Sequence, residues 1–367
     1  MKYFFIAGEA SGDLHASNVC EHLFEQDSHA CIEAWGGDLM KAKGVYIHKH
    51  IHDLAFMGFA EVLMNLRTII NNFSLCKRQI RQSKPDVVIL VDYPGFNLRM
   101  AKWCKQRGYK VVYYISPTVW AWKENRVELI RKYVDRLICI LPFEKPFYAK
   151  HGIEVDYFGN PSVDIIESEK LKTSSIQEGK IIALLPGSRK QEISAMLPIM
   201  LEATKGLRGY KLIIAQAPNL KREVYEPYLA NYAFEILQYK TYDILKVADA
   251  AIVASGTATL EAALFGVPQV VGYIANSISY AIAKRLVKVK YISLVNLILD
   301  RPALVELIQH DMTIENVRNE LNRILFDKTR VSQIKSAYFE LTSKLYKGNV
   351  SAQVAQVILQ LVFKDFK

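Results

Sequence analysis

Short apolar runs alternate with amphipathic stretches along nearly the whole chain. The runs predict strands at 2–7, 86–91, 110–115, 135–141 and 155–158, and again at 181–185, 211–215, 250–254 and 269–271. The 86–91 run is almost continuously apolar, as befits a strand covered on both faces of a parallel sheet. Helical periodicity fills the gaps, starting with 13–26, and dominates from about residue 302 onward. Such alternation predicts an α/β chain built on doubly wound sheets. The pattern breaks at 159–179, where Gly159-Asn160-Pro161 leads into a polar stretch, and an interdomain linker is expected there. Two Rossmann-like domains facing a central cleft would follow, with ligands at the carboxyl ends of the strands.

Three polar turns follow predicted strands. Gly8-Glu9-Ala10-Ser11-Gly12-Asp13 opens the chain, Leu185-Pro186-Gly187-Ser188-Arg189 lies in the middle, and Ser255-Gly256-Thr257-Ala258-Thr259-Leu260-Glu261 begins a helix. A helix N-terminus offers unpaired N–H groups and the positive end of a dipole, which suits phosphate. Arg189 either pairs bidentately with a phosphate or is an ordinary surface cation. Glu261 either accepts from sugar hydroxyls or only complements the helix dipole. A nucleotide-sugar enzyme is the first reading.

Asp92 ends the 86–91 strand and is followed by Tyr93-Pro94-Gly95. A half-buried carboxylate there would have a raised pKa and could act as a general base; capping the next helix, or pairing with an arginine, is the alternative. The segment 59–73 places Phe59, Val62, Leu63, Leu66, Ile69, Ile70 and Phe73 on one helical stripe, with Arg67, Lys77, Arg78 and Arg81 nearby. That stripe faces either the core or a lipid surface. His48, His50 and His52 could line one side of a strand, but no acid or cysteine stands at a matching spacing. The chain has no G-x-G-x-x-G, no G-x-x-x-x-G-K-[ST] and no D-x-D, which argues against a dehydrogenase, a P-loop enzyme and a metal-chelated sugar nucleotide. Neither metal nor cofactor is expected.

Composition narrows the class. With 367 residues, 51% hydrophobic and 23% charged, the chain is long enough for two folded domains. The five cysteines form no C-x-x-C pair, so neither a disulfide framework nor a zinc site is indicated and a reducing compartment fits. Five apolar residues after Lys2 are too few for a signal peptide, and no run approaches the ~20 residues of a membrane span. A cytoplasmic protein, soluble or peripheral, is expected. The net charge of +10 favours an anionic partner, with cations gathered around 77–84, 126–136 and 284–290. No nucleic-acid fold signature accompanies them, so a phosphorylated substrate or an acidic membrane is preferred.

Along nearly its whole length the chain resembles the lipid-A-disaccharide synthases. The resemblance rests on ordered strings: the Gly8–Asp13 turn, Ser116-Pro117-Thr118-Val119-Trp120-Ala121-Trp122, Leu141-Pro142-Phe143-Glu144, Leu184-Leu185-Pro186-Gly187-Ser188-Arg189, Ala254 through Glu261, Ala283-Lys284-Arg285-Leu286-Val287, and Tyr291-Ile292-Ser293-Leu294 followed by Asn296-Leu297. It implies an inverting glycosyltransferase of the GT-B type. The enzyme would join UDP-2,3-diacylglucosamine to 2,3-diacylglucosamine 1-phosphate (lipid X) through a β-1′,6 bond, releasing UDP, at the cytoplasmic face of the inner membrane. The resemblance makes Asp92 the catalytic base, with Glu9, Ser11 and Asp13 beside the reacting sugars. Gly187, Ser188, Arg189, Ser255, Gly256, Thr257, Thr259, Glu261 and Asn296 would hold the UDP donor, and Val62, Leu63, Leu66, Ile69 and Ile70 would contact lipid. The expected domains are 1–165 for the acceptor, 166–345 for UDP-sugar, and a C-terminal helix, 346–367, crossing back to an N-terminal domain, its own or that of a partner in a swapped homodimer. Asn160 stands where many relatives have histidine, Val295 where proline is common, and Gly95 where some carry an acid. The rival classes are a UDP-sugar epimerase or hydrolase on the same architecture, and a non-catalytic lipid-binding protein.

Overall fold

The structure, a computed structural model, describes residues 1–54, 66–229, 234–238, 240–276, 280 and 289–363. The chain divides into two compact units: Met1–Pro161 with Lys347–Lys367, and Ser162–Tyr346. In the first unit the described elements are β1 (Lys2–Ala7), α1 (Ala10–Gln26), β2 (Cys31–Gly36), α2 (Asp38–Ala42), β3 (Tyr46–His50), α3 (Leu66–Ser83), β4 (Val87–Val91), α4 (Pro94–Lys105), β5 (Lys110–Tyr114), α5 (Val127–Tyr133), β6 (Arg136–Cys139), α6 (Glu144–Lys150) and β7 (Asp156–Tyr157). The strands form one parallel sheet in the order β3-β2-β1-β4-β5-β6-β7. Winding reverses between β1 and β4, which pair from Tyr3↔Val87 to Ala7↔Val91. The period of two is visible in β4. Val87, Ile89 and Val91 enter one hydrophobic cluster and Val88 and Leu90 the other, so helices cover both faces.

The second unit repeats the plan. Its described elements are α7 (Pro161–Lys170), whose first residue closes the first unit, then β8 (Ile181–Leu185), α8 (Lys190–Thr204), β9 (Lys211–Gln216), β10 (Phe234–Gln238), α9 (Thr241–Val247), β11 (Ala250–Ala254), α10 (Thr257–Leu264), β12 (Gln269–Tyr273), α11 (Leu294–Leu299), β13 (Glu306–Ile308), α12 (Ile314–Phe326) and α13 (Lys328–Leu345). The parallel order is β10-β9-β8-β11-β12-β13, so winding reverses between β8 and β11.

The last described helix, α14 (Val350–Phe363), belongs to the first unit and packs on α1. Val350, Val354, Ala355, Ile358 and Val362 join the cluster that holds Tyr3, Phe5, Val19 and Leu23. Lys110 Nζ donates to the carbonyls of Leu361 (2.8 Å) and Val362 (3.1 Å), placing a cation on the open C-terminal carbonyls of α14.

Several expectations shift. The first helix starts at Ala10, so Ser11, Gly12 and Asp13 lie in its first turn rather than in a loop. The expected linker 159–179 contains α7, because Pro161 suits the first helical position, where its missing N–H costs nothing. The 59–73 helix lies outside the described residues up to 65, which removes Val62 and Leu63 from view. Among the described residues, α3 runs from Leu66 to Ser83. No described helix is long and apolar enough to cross a membrane.

Candidate active site

At the switch point of the first sheet, the turns after β1 and β4 lie side by side. Asp92 and Tyr93 both have left-handed backbones, with φ of +44° and +50°. Non-glycine residues hold such angles at a cost of ~1–3 kcal/mol each, so the surroundings must fix them. They do. The Asp92 carbonyl accepts from Tyr113 OH (2.7 Å) and from Asn97 Nδ2 (2.8 Å), and the Asp92 N–H donates to the Tyr114 carbonyl (3.0 Å). Asn97 is fully buried on α4, and the same amide nitrogen lies 3.2 Å from the carbonyls of Ile6 and Val91. The left-handed pair turns the chain off β4, leaving Asp92 at the strand's carboxyl edge. Burial, with a further push from the Glu9 charge, raises the Asp92 carboxyl to about 6; a hydrogen bond from the Tyr93 N–H opposes both. A carboxylate so placed is ionised at neutral pH yet basic enough to take a proton.

Of the residues grouped with Asp92, Glu9 and Ser11 are exposed at the start of α1. Asp13 points elsewhere. It is buried, and its carboxylate accepts from the N–H groups of Gly37 (2.7 Å), Leu39 (3.0 Å) and Met40 (3.3 Å). Gly37 makes room for it, since a Cβ there would lie 2.6 Å from Asp13 Oδ2. Asp13 thereby anchors the turn into α2.

The second switch point brings together the turns after β8 and β11. Gly187 has φ +111°, and Glu192, in the first turn of α8, folds back over it. Glu192 Oε2 accepts from the N–H groups of Ser188 (2.9 Å) and Arg189 (3.3 Å), and Glu192 Oε1 pairs with the Arg189 guanidinium (3.2 Å). The cradle expected to bind phosphate therefore already holds an anionic group, this chain's own carboxylate. The Arg189 side chain is 66% exposed, so this ion pair is weak and easily exchanged. Asn219 Nδ2 donates to the Ser188 carbonyl (3.3 Å). A cavity of ≈ 500 Å³, lined by residues including Asn219, Gln216, Lys221, Arg222 and Gln238, opens beside that turn.

At the neighbouring turn, Gly256 and Thr257 are exposed, and a Cβ on Gly256 would meet nothing within 4 Å. Glu261 Oε1 accepts from Tyr242 OH on α9 (3.1 Å), while Oε2 has no hydrogen-bond partner among the described residues. Burial raises its pKa, against the Tyr242 hydrogen bond. Three of the residues expected to hold the donor have partners within the chain. Thr259 is fully buried, with its hydroxyl donating to the Gly256 carbonyl (2.8 Å). Ser255 Oγ donates to the Ile292 carbonyl (2.9 Å). Asn296 is buried and its amide is spent: Nδ2 donates to the Leu304 carbonyl (2.9 Å) and Glu306 Oε1 (2.8 Å), while Oδ1 accepts from Leu304 N–H (2.8 Å). Glu306, which sequence reading missed, is the hub. It accepts from the N–H groups of Ile292 and Ser293 (both 2.9 Å), from Ser293 Oγ (2.7 Å) and from Asn296. Asn296, Glu306 and Ser255 thus brace the turn from behind. Nothing in local spacing marks Glu306, whereas Glu192 follows Arg189 by three residues, as in a capping box.

His48 pairs with Glu33 (2.5 Å) and His50 with Asp38 (3.4 Å), and among the described residues no three potential ligands converge on a metal. Ile70 is exposed, whereas Phe73 stacks on Phe96 (4.2 Å between centroids) and belongs to the core side of α3. The side chains of Leu66 and Ile69 are outside the described set.

Two doubly wound parallel sheets, each with polar turns at its switch point, define the GT-B class of nucleotide-sugar enzymes. The chain shares this fold with a UDP-GlcNAc 2-epimerase from Neisseria meningitidis solved with UDP-GlcNAc (TM-score 0.66, 14% identity, covering 99% of this chain and 100% of that one) and with the glycotransferase of kitacinnamycin (TM-score 0.64, 11% identity, 98% and 99%). At such identities the likeness concerns the fold alone. The family model for Lipid-A-disaccharide synthetase matches residues 3–360. Lipid-A-disaccharide synthases from Geobacter metallireducens (36% identity, 99% of this chain and 98% of theirs) and Coxiella burnetii (35%, 98% and 98%) match end to end. The chain belongs to the lipid-A-disaccharide synthase family and is a glycosyltransferase of lipid A biosynthesis.

Proposed function

We propose that this enzyme transfers 2,3-diacylglucosamine from UDP to the 6-hydroxyl of 2,3-diacylglucosamine 1-phosphate with inversion. Asp92 takes the proton from the acceptor hydroxyl as its oxygen bonds to the anomeric carbon. The bond from that carbon to the diphosphate breaks, and its electron pair leaves with UDP. Arg189 and the N-terminus of α10 stabilise the charge growing on the diphosphate, so no metal is required. Glu261 accepts from the ribose hydroxyls through its free Oε2. The observation that carries this reading is Asp92, a carboxyl raised to about 6 and fixed by a clamped, strained turn at a switch point.

The test supplies the UDP-linked diacyl sugar with and without acceptor, and follows UDP and disaccharide. Asp92→Asn should lower transfer by ~10²–10⁴-fold while UDP affinity holds. Activity within a few-fold of wild type removes Asp92 as the base. UDP release without acceptor points instead to a hydrolase, and a strict need for Mg²⁺ or Mn²⁺ after EDTA treatment contradicts metal-free departure.

The domain roles form part of the proposal: the first unit takes the acceptor and the second the UDP-sugar. So does peripheral attachment to the anionic inner-membrane surface. Ile70 is exposed on α3, and Lys77, Arg81 and Arg107 lie 5.1–5.9 Å from the centre of the Trp103 ring, a mixed cationic and aromatic face suited to phospholipid headgroups. A homodimer would exchange α14 between chains, replacing its contacts with α1 by identical ones. Sedimentation of the full chain and of a chain lacking 347–367 checks this.

A further inference from the structure

Residues 115–126 join β5 to α5 along the carboxyl edge of the first sheet. Their middle is pinned. Trp120 Nε1 donates to Glu144 Oε1 (3.2 Å), and the buried Glu144 accepts from Ile140 N–H (3.1 Å) and Leu141 N–H (2.9 Å). Beyond this pin the chain presents Trp122, 41% exposed, with two cations against its ring: Lys123 Nζ at 4.1 Å from the centroid and the Arg126 guanidinium at 5.8 Å. Lys123 is held in a left-handed conformation, φ +58°, and Arg126 is half-buried. Among the described residues neither has a carboxylate partner; the adjacent acid, Glu124, pairs with His151 (3.2 Å). Burial and the neighbouring Arg126 both lower the Lys123 pKa, the effect expected of two like charges kept together. The pair is close to the reaction centre. The Tyr113 hydroxyl, which donates to the Asp92 carbonyl, feels both the Asp92 carboxylate and the Arg126 cation.

Two unpaired cations on one aromatic platform, one of them half-buried, are complementary to a compact multivalent anion. We propose that Lys123 and Arg126, backed by Trp122, bind the phosphate of the acceptor sugar and so orient its hydroxyl towards Asp92. The inference rests on the transferase reading above and assigns residues to one substrate group. A planar guanidinium can grip two phosphate oxygens, and the ammonium adds a point charge.

The experiment uses the full enzyme with short-chain acceptors dispersed in detergent, one carrying the 1-phosphate and one lacking it. Arg126→Gln and Lys123→Asn are compared with wild type; asparagine tolerates the left-handed backbone. Each variant should raise KM for the phosphorylated acceptor roughly ten- to hundred-fold, with UDP affinity and donor KM unchanged. Preference for the phosphorylated over the unphosphorylated acceptor should collapse. An unchanged KM, or equal losses with both acceptors, overturns the assignment. Arg126→Lys, which keeps the charge but loses the fork, should give an intermediate KM and serves if Arg126→Gln melts early. Binding to phosphatidylglycerol vesicles provides the other arm. Lost vesicle binding with an unchanged KM in detergent assigns the cations to lipid headgroups and overturns the acceptor site. If wild type itself forms no disaccharide, the transferase reading has failed before any variant is compared.

Discussion

The ring of Tyr93 occupies the space into which a β-carbon at Gly8 would project. This contact joins the turn after β1 to the turn after β4, and so sets Glu9 beside Asp92. Gly8→Ala must push the ring aside and with it the left-handed Asp92–Tyr93 pair. Such overpacking should cost about 1–3 kcal/mol of stability and lower kcat by at least roughly tenfold through the displaced base. Thermal melting and steady-state kinetics check the two effects separately.

The Glu9 charge helps hold the Asp92 carboxyl near 6. As the proposed base, Asp92 works when ionised, so kcat/KM should rise with pH through an acid limb near 6. Glu9→Gln removes the repulsion and should move that limb to lower pH. A limb that stays in place in this variant would mean that another group titrates there.

Glu192 holds the N–H groups of Ser188 and Arg189 that the proposed site gives to the diphosphate. Glu192→Ala should therefore tighten UDP binding several-fold by calorimetry. The same change removes a helix cap, with a stability loss of about 1 kcal/mol. Weaker UDP binding would place the diphosphate away from this turn.

Glu306 acts on the second switch point through Ser293, Asn296 and the backbone of Ile292. Glu306→Ala leaves several buried donors without an acceptor and should destabilise the chain by about 3 kcal/mol or more. Asn296→Asp retains the shape of the side chain but sets a carboxylate against Glu306. Its melting temperature should fall, and UDP affinity should fall with it only if the brace positions the Gly256 turn.

Glu144 titrates in the opposite sense to a paired surface acid. Burial raises its carboxyl from 4.5 to about 7, despite hydrogen bonds from Leu141 and Ile140. The folded state holds this proton more tightly than the unfolded chain does. Its contribution to stability is therefore complete below about 4.5 and is lost as pH rises through about 7. Glu144→Gln should flatten that part of the melting-temperature profile, leaving the residual slope to Asp92.

The central strands were legible because both of their faces are buried, as in Val87–Val91 and Ile181–Leu185. Those missed, β2, β3, β10 and β13, are edge strands, short strands or strands mixed with polar residues, such as Tyr46-Ile47-His48-Lys49-His50, and carry no apolar run. In sequence Asp92 stands out just beyond β4, and Glu261 as an acid one turn into the helix that follows β11. Asp13 and Asn296 look equally functional in sequence, but their hydrogen-bond partners lie 24–27 and 8–10 residues away, and only folding shows that they are already engaged. The Ser255 link to Ile292 spans 37 residues and is invisible for the same reason.

The packing of α14 on α1 dictates an order of assembly. A ribosome releases the chain from its amino end, so the first 161 residues emerge with the α1 surface bare and stay so while the whole second unit is made. Tyr3, Val19 and Leu23 wait for Val354, Ile358 and Val362. The second unit, continuous in sequence, can close as soon as it is out. Synthesis that stops shortly before residue 350 would thus yield a finished second unit joined to a first unit with an exposed apolar seam, a product marked for chaperones and proteases by the α14 it lacks.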